Sequence, residues 1–479
     1  MDRKCITISK AKNEYIYSDV GRCFLFLPPK ANYINQEEEK KVKGYYSRKL
    51  HFLQEHHLLD QKSIEFSTNY PAELIRQNLA CLRQLLIEVT DSCNLRCKYC
   101  GYGEFYNNYD QRETKNQTFG NVKILIDYLA ELWKSEYNIS QDNTVMIGFY
   151  GGEPLVNMKL IKEIIAYMRS LDIPHLRFGY NMTTNAVLLD KYMDFLVEKD
   201  FKLLFSLDGN RQGSGYRVDK QGRPSFDKVV NNISLLKEKH PDFFETNVNF
   251  NSVLHDQNTI EKTYEFIKEK FGKTPRIAEL NTNGIVPERR EEFSKMFHSK
   301  VENFNRMASE EKLKEEYKLD STDAIHFHSM LANHTGNRYK EYIDLFEPDN
   351  ENSYIPSGTC QPFERKIFLT VNGKILPCEK IGQEHVIAQM KDGKLNLNLE
   401  EVAKYYSELY QKVLHNCTHC QHKRTCGQCL FLLEEKEGKL ICPGIRSEAH
   451  LNKELSDFLT YAEEHPEEYE TLLSEIVVE

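Results

Sequence analysis

Residues 85–100 read LLIEVTDSCNLRCKYC, an apolar stretch that runs directly into three cysteines. Residues 85–89 have the composition of a short buried strand, and Cys93, Cys97 and Cys100 follow it in one loop. Spacings of two and three residues let one turn of backbone present several sulfurs to a single centre. The stretch therefore predicts a metal centre at the carboxyl end of a strand, and both iron–sulfur and zinc chemistry fit it.

From residue 85 to about residue 285, short apolar strands alternate with helices whose apolar residues recur with a period of 3.6. Parallel strands joined by crossover helices give an α/β fold. Because the strand–helix unit does not repeat eight times, we expect a partial (β/α)6 barrel over residues 81–285 rather than a full one. The predicted strands are residues 85–89, 145–150, 176–182, 201–207, 248–253 and 277–281.

Polar motifs follow the first four of these strands. They are the cysteine loop (residues 93–100), GGEP at residues 151–154, TTN at residues 183–185 and SLDG at residues 206–209. In parallel β/α folds the carboxyl ends of the strands meet at one face, where the loops form the active site. The motifs therefore predict an active site on that face.

The composition excludes several classes of protein. The chain has 479 residues, 40% of them hydrophobic and 28% charged, which is enough for about two to four domains. A net charge of −9 argues against a nucleic-acid partner. No apolar run approaches the ~18 residues of a membrane span, and the first residues lack a signal-peptide core. We expect a cytoplasmic protein with no membrane association.

The chain has thirteen cysteines. A chain without an export signal seldom uses its cysteines in disulfides. Metal binding is therefore favoured for the clustered cysteines. Cys5, Cys23 and Cys81 stand singly among apolar neighbours and are expected to be buried packing residues.

Four further segments complete the predicted domain organisation. Residues 1–80 predict a small α+β domain, either a module that adds a leader peptide at a sheet edge or a packing extension of the barrel. Residues 286–355 predict a helical bridging insert. Residues 356–450 carry the second cysteine group, and residues 451–479 predict an acidic, solvated helical tail.

The cysteine loop and the GGEP run together resemble the radical S-adenosylmethionine (SAM) enzymes. In that family three cysteines bind a [4Fe–4S] cluster, and its open iron chelates the amino and carboxylate groups of SAM. Reductive cleavage then yields a 5′-deoxyadenosyl radical that abstracts hydrogen from the substrate. The resemblance assigns Cys93, Cys97 and Cys100 to the cluster. It assigns these residues to SAM binding: Tyr99, Gly151, Gly152, Glu153, Pro154, Asn185, Ser206, Asp208 and Arg217.

Seven cysteines near the C-terminus resemble the SPASM domain, which carries auxiliary iron–sulfur clusters in peptide-modifying enzymes. The resemblance implies one complete [4Fe–4S] cluster and a second that lacks one cysteine, to be completed by a substrate thiolate or a noncysteine protein ligand. The first would use Cys417, Cys420, Cys426 and Cys442, and the second Cys360, Cys378 and Cys429.

Two features keep a zinc ribbon open as an alternative for this group. Two residues, rather than the usual three, separate Cys426 from Cys429. His415, His419 and His422 also lie close enough in sequence to act as zinc ligands.

These resemblances imply an enzyme that modifies a ribosomally synthesised precursor peptide by an intrapeptide crosslink, with a thioether favoured over carbon–carbon or ether links. It would need SAM, three [4Fe–4S] clusters and a flavodoxin- or ferredoxin-like electron donor. An anaerobic sulfatase-maturating (formylglycine-forming) enzyme is the second hypothesis, and a noncatalytic iron–sulfur or zinc peptide-binding protein is the third. No spacing selects a general base among the acidic residues.

Overall fold

The structure is a computed structural model that describes residues 5–18, 23–27, 36–56, 65–140, 144–306, 338–339, 353–356, 360–420, 426, 428–445, 447–467 and 477–478. The chain falls into two compact units. We call Tyr70–Glu310 with Cys360–Tyr406 the core unit. The terminal unit consists of Met1–Asn69, Glu311–Thr359 and Ser407–Glu479.

The helices and strands of the described residues are numbered in chain order. The strands are β1 (Cys5–Ile8), β2 (Glu14–Ser18), β3 (Cys23–Leu27), β4 (Glu65–Phe66), β5 (Gln84–Thr90), β6 (Thr144–Gly151), β7 (Arg177–Thr184), β8 (Lys202–Ser206), β9 (Val248–Val253), β10 (Arg276–Ala278), β11 (Arg338–Tyr339), β12 (Ser353–Tyr354), β13 (Lys366–Leu369), β14 (Lys374–Leu376), β15 (Ala388–Lys391), β16 (Lys394–Asn396), β17 (Glu434–Lys436), β18 (Lys439–Ile441) and β19 (Val477–Val478). The α-helices are α1 (Gln36–Glu55), α2 (Ala72–Ala80), α3 (Phe119–Trp133), α4 (Met158–Ser170), α5 (Leu189–Glu198), α6 (Phe226–Lys239), α7 (Pro241–Asn247), α8 (Ile260–Phe271), α9 (Arg290–Met296), α10 (Lys300–Arg306), α11 (Leu399–His419) and α12 (Glu448–Glu464).

The core unit is built on a parallel sheet in which β5 to β10 lie side by side in chain order. Helices α3 to α8 form the crossovers between these strands. β5 is buried along almost its whole length, as expected for a central strand covered on both faces. The predicted α/β fold with six parallel strands is therefore confirmed.

The sheet continues beyond β5 into residues that were predicted to belong to a separate cysteine-rich domain. β13 pairs in parallel with β5, and β14, β15 and β16 then add antiparallel strands. The compact units thus divide the chain differently from the predicted boundaries at residues 80, 285 and 355. The physical reason is that β13 covers the backbone of β5, which would otherwise be an open sheet edge.

The terminal unit contains a small antiparallel sheet of β1, β2 and β3, as the α+β prediction for the N-terminal residues requires. α12 packs against β1, where Ser456 Oγ donates to the Ile8 carbonyl at 2.5 Å. Phe458 and Leu459 are buried and pack against the partly buried Tyr15. Over its described helix, the predicted solvated tail is therefore a packed element, because its apolar face covers the N-terminal sheet.

The predicted helical insert contributes α9 and α10 to the core unit, and most of its remaining residues lie outside the described ranges. Within the described part of the chain, no helix has both the length and the hydrophobicity that crossing a membrane requires.

Candidate active site

The cysteine loop (residues 93–100) is held by hydrogen bonds to the chain around Arg217. The amide of Arg96 donates to the Val218 carbonyl at 2.7 Å, and the amide of Lys98 donates to the Tyr216 carbonyl at 3.4 Å. Before the loop, Asp91 accepts from the amide of Lys115 at 2.6 Å. Both ends of the loop are therefore fixed by the core unit itself.

The three thiols of the loop interact electrostatically with one another. Burial raises the pKa of Cys93 to about 11 and that of Cys97 to about 12, and each is raised further by the Cys100 thiol. The Arg217 guanidinium opposes this rise in the pKa of Cys97. A raised pKa keeps these thiols protonated in the metal-free protein, so a metal cluster that bound them as thiolates would have to displace their protons.

No group of three or more His, Cys, Asp or Glu side chains converges on a single ion among the described residues. A [4Fe–4S] cluster does not require such convergence, because each of its cysteines binds a different iron atom. The donor set of Cys93, Cys97 and Cys100 fits an iron–sulfur cluster better than it fits one zinc ion, and these thiolates would hold it.

The two glycines of GGEP allow a close approach between β6 and the chain that leads into the cysteine loop. A Cβ on Gly151, whose φ is +142°, would lie 2.1 Å from the Thr90 carbonyl oxygen. A Cβ on Gly152 would lie 2.3 Å from the Ser92 carbonyl oxygen. The amides of Gly152 and Glu153 instead donate to these same carbonyls, each at 2.9 Å. Only glycine fits this backbone contact.

Glu153 ties the GGEP run to the end of β7. Its carboxylate accepts from the Thr184 hydroxyl at 2.6 Å, the Asn185 amide at 2.8 Å and the Leu155 amide at 3.1 Å. Burial raises the pKa of Glu153, and these hydrogen bonds oppose that rise. Pro154 is buried in the short 3-10 helix that follows.

Asn185 reaches the cysteine loop from the end of β7. Its side-chain amide donates to Asn94 Oδ1 at 2.8 Å and lies 3.8 Å from Cys93 Sγ. Ser206 is the half-buried last residue of β8. Asn185 and the GGEP residues thus contact the cysteine loop or the chain leading into it, whereas their roles in binding SAM stay predictions.

A buried polar network joins the ends of β8 and β9 to the cysteine loop. Asp208 pairs with Arg217 through Nε at 2.8 Å and Nη2 at 2.9 Å, and it also accepts from the Tyr99 hydroxyl. Burial alone would raise the pKa of Asp208, but the Arg217 guanidinium and the hydrogen bonds outweigh it and the pKa is lowered. The Asp208 carboxylate is therefore ionised at neutral pH.

His255 belongs to this network and was missed by the sequence interpretation. It is fully buried, and its ring stacks on Tyr99 with centroids 5.2 Å apart. A single histidine in the run LHD has no spacing partner that could have drawn attention to it.

A second buried polar group was also missed. Arg112 pairs with Glu88, and its guanidinium carbon lies 3.5 Å from the centre of the Tyr102 ring. Burial raises the pKa of Glu88, which Arg112 counteracts. Nε and Nη2 of Arg112 find no hydrogen-bond partner among the described residues. The signal in the sequence was Glu88, a charged residue inside an apolar strand.

The predicted auxiliary cysteines lie in both units. Cys360 and Cys378 belong to the core unit, while Cys429 belongs to the terminal unit. Burial raises the pKa of Cys378 to about 12, and Cys378 Sγ lies 3.4 Å from Glu379 Oε2. The grouping of these three cysteines in one cluster stays a prediction.

The other four predicted ligands lie in the terminal unit. Burial raises the pKa of Cys426, and the thiols of Cys442 and Cys420 raise it further, so these sulfurs are electrostatic neighbours. Cys417 lies near the end of α11, and its carbonyl accepts from the Cys420 amide at 3.3 Å. His422, considered as a zinc ligand, lies outside the described residues.

Comparison with known proteins gives a family match and several relatives. Residues 87–269 match the model of the Radical SAM superfamily. A cysteine-type anaerobic sulfatase-maturating enzyme of Clostridium novyi is 31% identical over 193 residues, 40% of this chain and 48% of that protein. The radical SAM cyclopropyl synthase TigE of Paramaledivibacter caminithermalis is 24% identical over 368 residues, 75% of this chain and 70% of TigE. The matched part is thus about half of the first relative.

A solved structure of native anSMEcpe with bound AdoMet and a peptide has a TM-score of 0.52 and 19% sequence identity. The match covers 82% of this chain and 99% of that chain, and at this identity it supports the fold alone. Residues 87–269, which match the Radical SAM superfamily model, contain the cysteine loop and all four strand-end motifs, so this part of the chain is a radical SAM domain.

Proposed function

We propose that this chain is a radical SAM enzyme that modifies a ribosomally synthesised precursor peptide, most favourably by forming an intrapeptide thioether crosslink. The observation that carries the proposal is that Asn185 contacts the cysteine loop and GGEP contacts the residues just before it, at one face of the parallel sheet. When bound there, a [4Fe–4S] cluster and SAM supply the radical that abstracts hydrogen from a substrate carbon.

The residues of the chain would hold and shield these groups. Cys93, Cys97 and Cys100 would bind the cluster as thiolates, and GGEP would present backbone groups to the SAM amino group. Glu153 accepts three hydrogen bonds from its own neighbours, so its role would be to fix the GGEP backbone rather than to move a proton. No proton-transfer residue is assigned.

The peptide substrate is supported by two further regions. The small sheet of β1 to β3, with α1 packed against β3, would serve as the module that binds a leader peptide at a sheet edge. The seven C-terminal cysteines would hold two auxiliary [4Fe–4S] clusters, and one lacks a cysteine ligand that a substrate thiolate would supply. Sulfur bound in this way is positioned for carbon–sulfur bond formation.

The experiment is anaerobic reaction of the reconstituted protein with SAM, a reductant and a cysteine-containing precursor peptide encoded near its gene. We expect 5′-deoxyadenosine and a peptide that has lost two hydrogen atoms per link, with one cysteine no longer open to alkylation. Serine-for-cysteine variants of the peptide are the matched control. Absence of 5′-deoxyadenosine under reducing conditions would exclude radical SAM chemistry.

A sulfatase-maturating activity is the second candidate, because the Clostridium novyi relative bears that name. It predicts an aldehyde at one residue and no link between two residues. A hydrazide probe for the aldehyde, together with fragmentation of the product peptide, separates the two outcomes. A noncatalytic iron–sulfur or zinc protein would bind peptide and form neither product.

A further inference from the structure

The Asp208 carboxylate has no acceptor capacity left for a ligand. Besides both Arg217 donors and the Tyr99 hydroxyl, it accepts from the Val253 amide at 2.9 Å. An ionised carboxylate offers about four acceptor positions, and protein donors occupy all of them. Asp208 is also completely buried. These contacts argue against a direct bond between Asp208 and a bound cofactor.

His255 lies next to this carboxylate. Its Nδ1 accepts from the Gln257 amide at 3.2 Å, so a neutral ring carries its proton on Nε2. Nε2 lies 3.8 Å from Asp208 Oδ2, which is too long for a hydrogen bond but short enough for a favourable electrostatic contact. The stacking of His255 on Tyr99 limits the positions open to both rings.

The other side of the network is the cysteine loop. Tyr99 lies between Cys97 and Cys100, and Arg217 stands between the two carbonyls that accept from the loop amides. The guanidinium carbon of Arg217 lies 5.5 Å from the centre of the Tyr99 ring. Asp208 therefore fixes both the position of Tyr99 and the position of the Arg217 charge, whose field acts on Cys97.

We propose that Asp208, supported by His255, is a positioning residue that holds Tyr99 and the Arg217 charge against the cysteine loop without contacting the cofactor itself. The role rests on the proposed binding of a cluster by the loop. It replaces the direct SAM contact that the family resemblance implies for Asp208, and it adds His255 to the residues of the site.

A change in the cluster itself follows from this role. Without the Asp208 carboxylate, the buried Arg217 charge is no longer neutralised, and a positive charge near Cys97 favours the more reduced and more negative cluster. A direct SAM contact makes a different prediction, because its loss weakens SAM binding and leaves the SAM-free cluster unchanged.

The test uses the full chain, reconstituted anaerobically, with the variant Asp208→Asn. Asp227→Asn is the matched control, since Asp227 forms a bidentate pair with Arg211 on the surface. We expect the SAM-free midpoint potential of the cluster in Asp208→Asn to shift to a more positive value, with a changed electron paramagnetic resonance spectrum. Asp227→Asn should match the wild type. A wild-type SAM-free spectrum and potential combined with SAM affinity at least tenfold weaker would overturn the proposal.

Two milder variants keep the test decisive if Asp208→Asn does not fold. Tyr99→Phe removes one hydrogen bond and no charge, and we expect an altered SAM-free spectrum. His255→Phe keeps the stacked ring but removes the Nε2 proton, whereas His255→Gln keeps a donor and should lie closer to the wild type. Wild-type spectra for both phenylalanine variants would refute the role.

These readouts need neither SAM cleavage nor a peptide. They therefore distinguish failure of the positioning role from failure of the proposed function. A wild-type protein that binds no iron at the loop would contradict the cluster assignment before any variant is compared.

Discussion

The cysteine loop and the C-terminal cysteines differ in what holds them. The loop follows β5, and backbone hydrogen bonds fix it to the chain around Arg217. The C-terminal cysteines of the terminal unit, from Cys417 to Cys442, lie at the end of α11 and around the hairpin of β17 and β18, and only Leu440 is buried in those two strands. The parallel sheet thus pre-organises the first predicted metal centre, at the cysteine loop, whereas we expect the second, at these C-terminal cysteines, to depend on its bound metal for order.

The largest expected effect is the loss of radical chemistry when the first centre is broken. Cys97→Ser should abolish 5′-deoxyadenosine formation and remove about four of the roughly twelve irons expected for three cubane clusters. Cys81→Ser is the control, because Cys81 Sγ lies 3.6 Å from the Tyr137 carbonyl, outside both cysteine groups. Iron analysis and chromatography of the nucleoside measure both quantities. Unchanged iron in Cys97→Ser would contradict the assignment.

Breaking the second centre should have a more local effect. Cys426→Ser should also lower the iron content by about four per chain, while SAM cleavage without peptide persists. Amide hydrogen exchange should accelerate over residues 428–445 and remain unchanged over β5 to β9. If the amides of β17 and β18 stayed protected from exchange without iron, the second centre would not depend on its metal for order.

The glycine contact before the loop offers a sharper test of pre-organisation. Gly151→Ala should destabilise the apoprotein by about 3 kcal/mol or more, because its Cβ overlaps the Thr90 carbonyl and its φ is positive. Gly393→Ala is the control, with φ at +70° and open space around the Cβ, and should cost about 1 kcal/mol. Denaturant unfolding measures both. Equal losses of unfolding free energy in the two variants would show that the close approach of Gly151 to Thr90 does not contribute to stability.

The smallest expected effect is on acid stability. Because the pKa of Asp208 is lowered in the folded protein, its contribution to stability is present above about pH 4 and is lost as the pH falls further. Asp208→Asn apoprotein should therefore lose stability less steeply than the wild type on acidification. Asp227→Asn should show a weaker change, because its pair is exposed. Urea unfolding at a series of pH values measures how steeply each protein loses stability. A larger change in Asp227→Asn than in Asp208→Asn would show that the buried pair is unimportant.

The sequence was sufficient for the strands of the parallel sheet and for the motifs at their ends, because apolar periodicity and close cysteine spacing are local signals. It was insufficient for β13 to β16, which are short and gain their order from pairing with β5. It also missed His255 and Arg112. Their importance comes from contacts with Asp208 and Glu88, which lie 47 and 24 positions away in the chain.

The pairing of β13 with β5 has a consequence for how the protein must be made. During synthesis, β5 leaves the ribosome long before residues 366–369 have been made. The β5 edge of the sheet therefore stays unpaired until β13 is available. The long sequence separation of β5 and β13 raises the contact order, and the delay leaves an aggregation-prone edge exposed. A fragment ending at residue 285 would keep that edge permanently. Expression of the region that matches the Radical SAM model should therefore require the chain through β14, even though the match ends at residue 269.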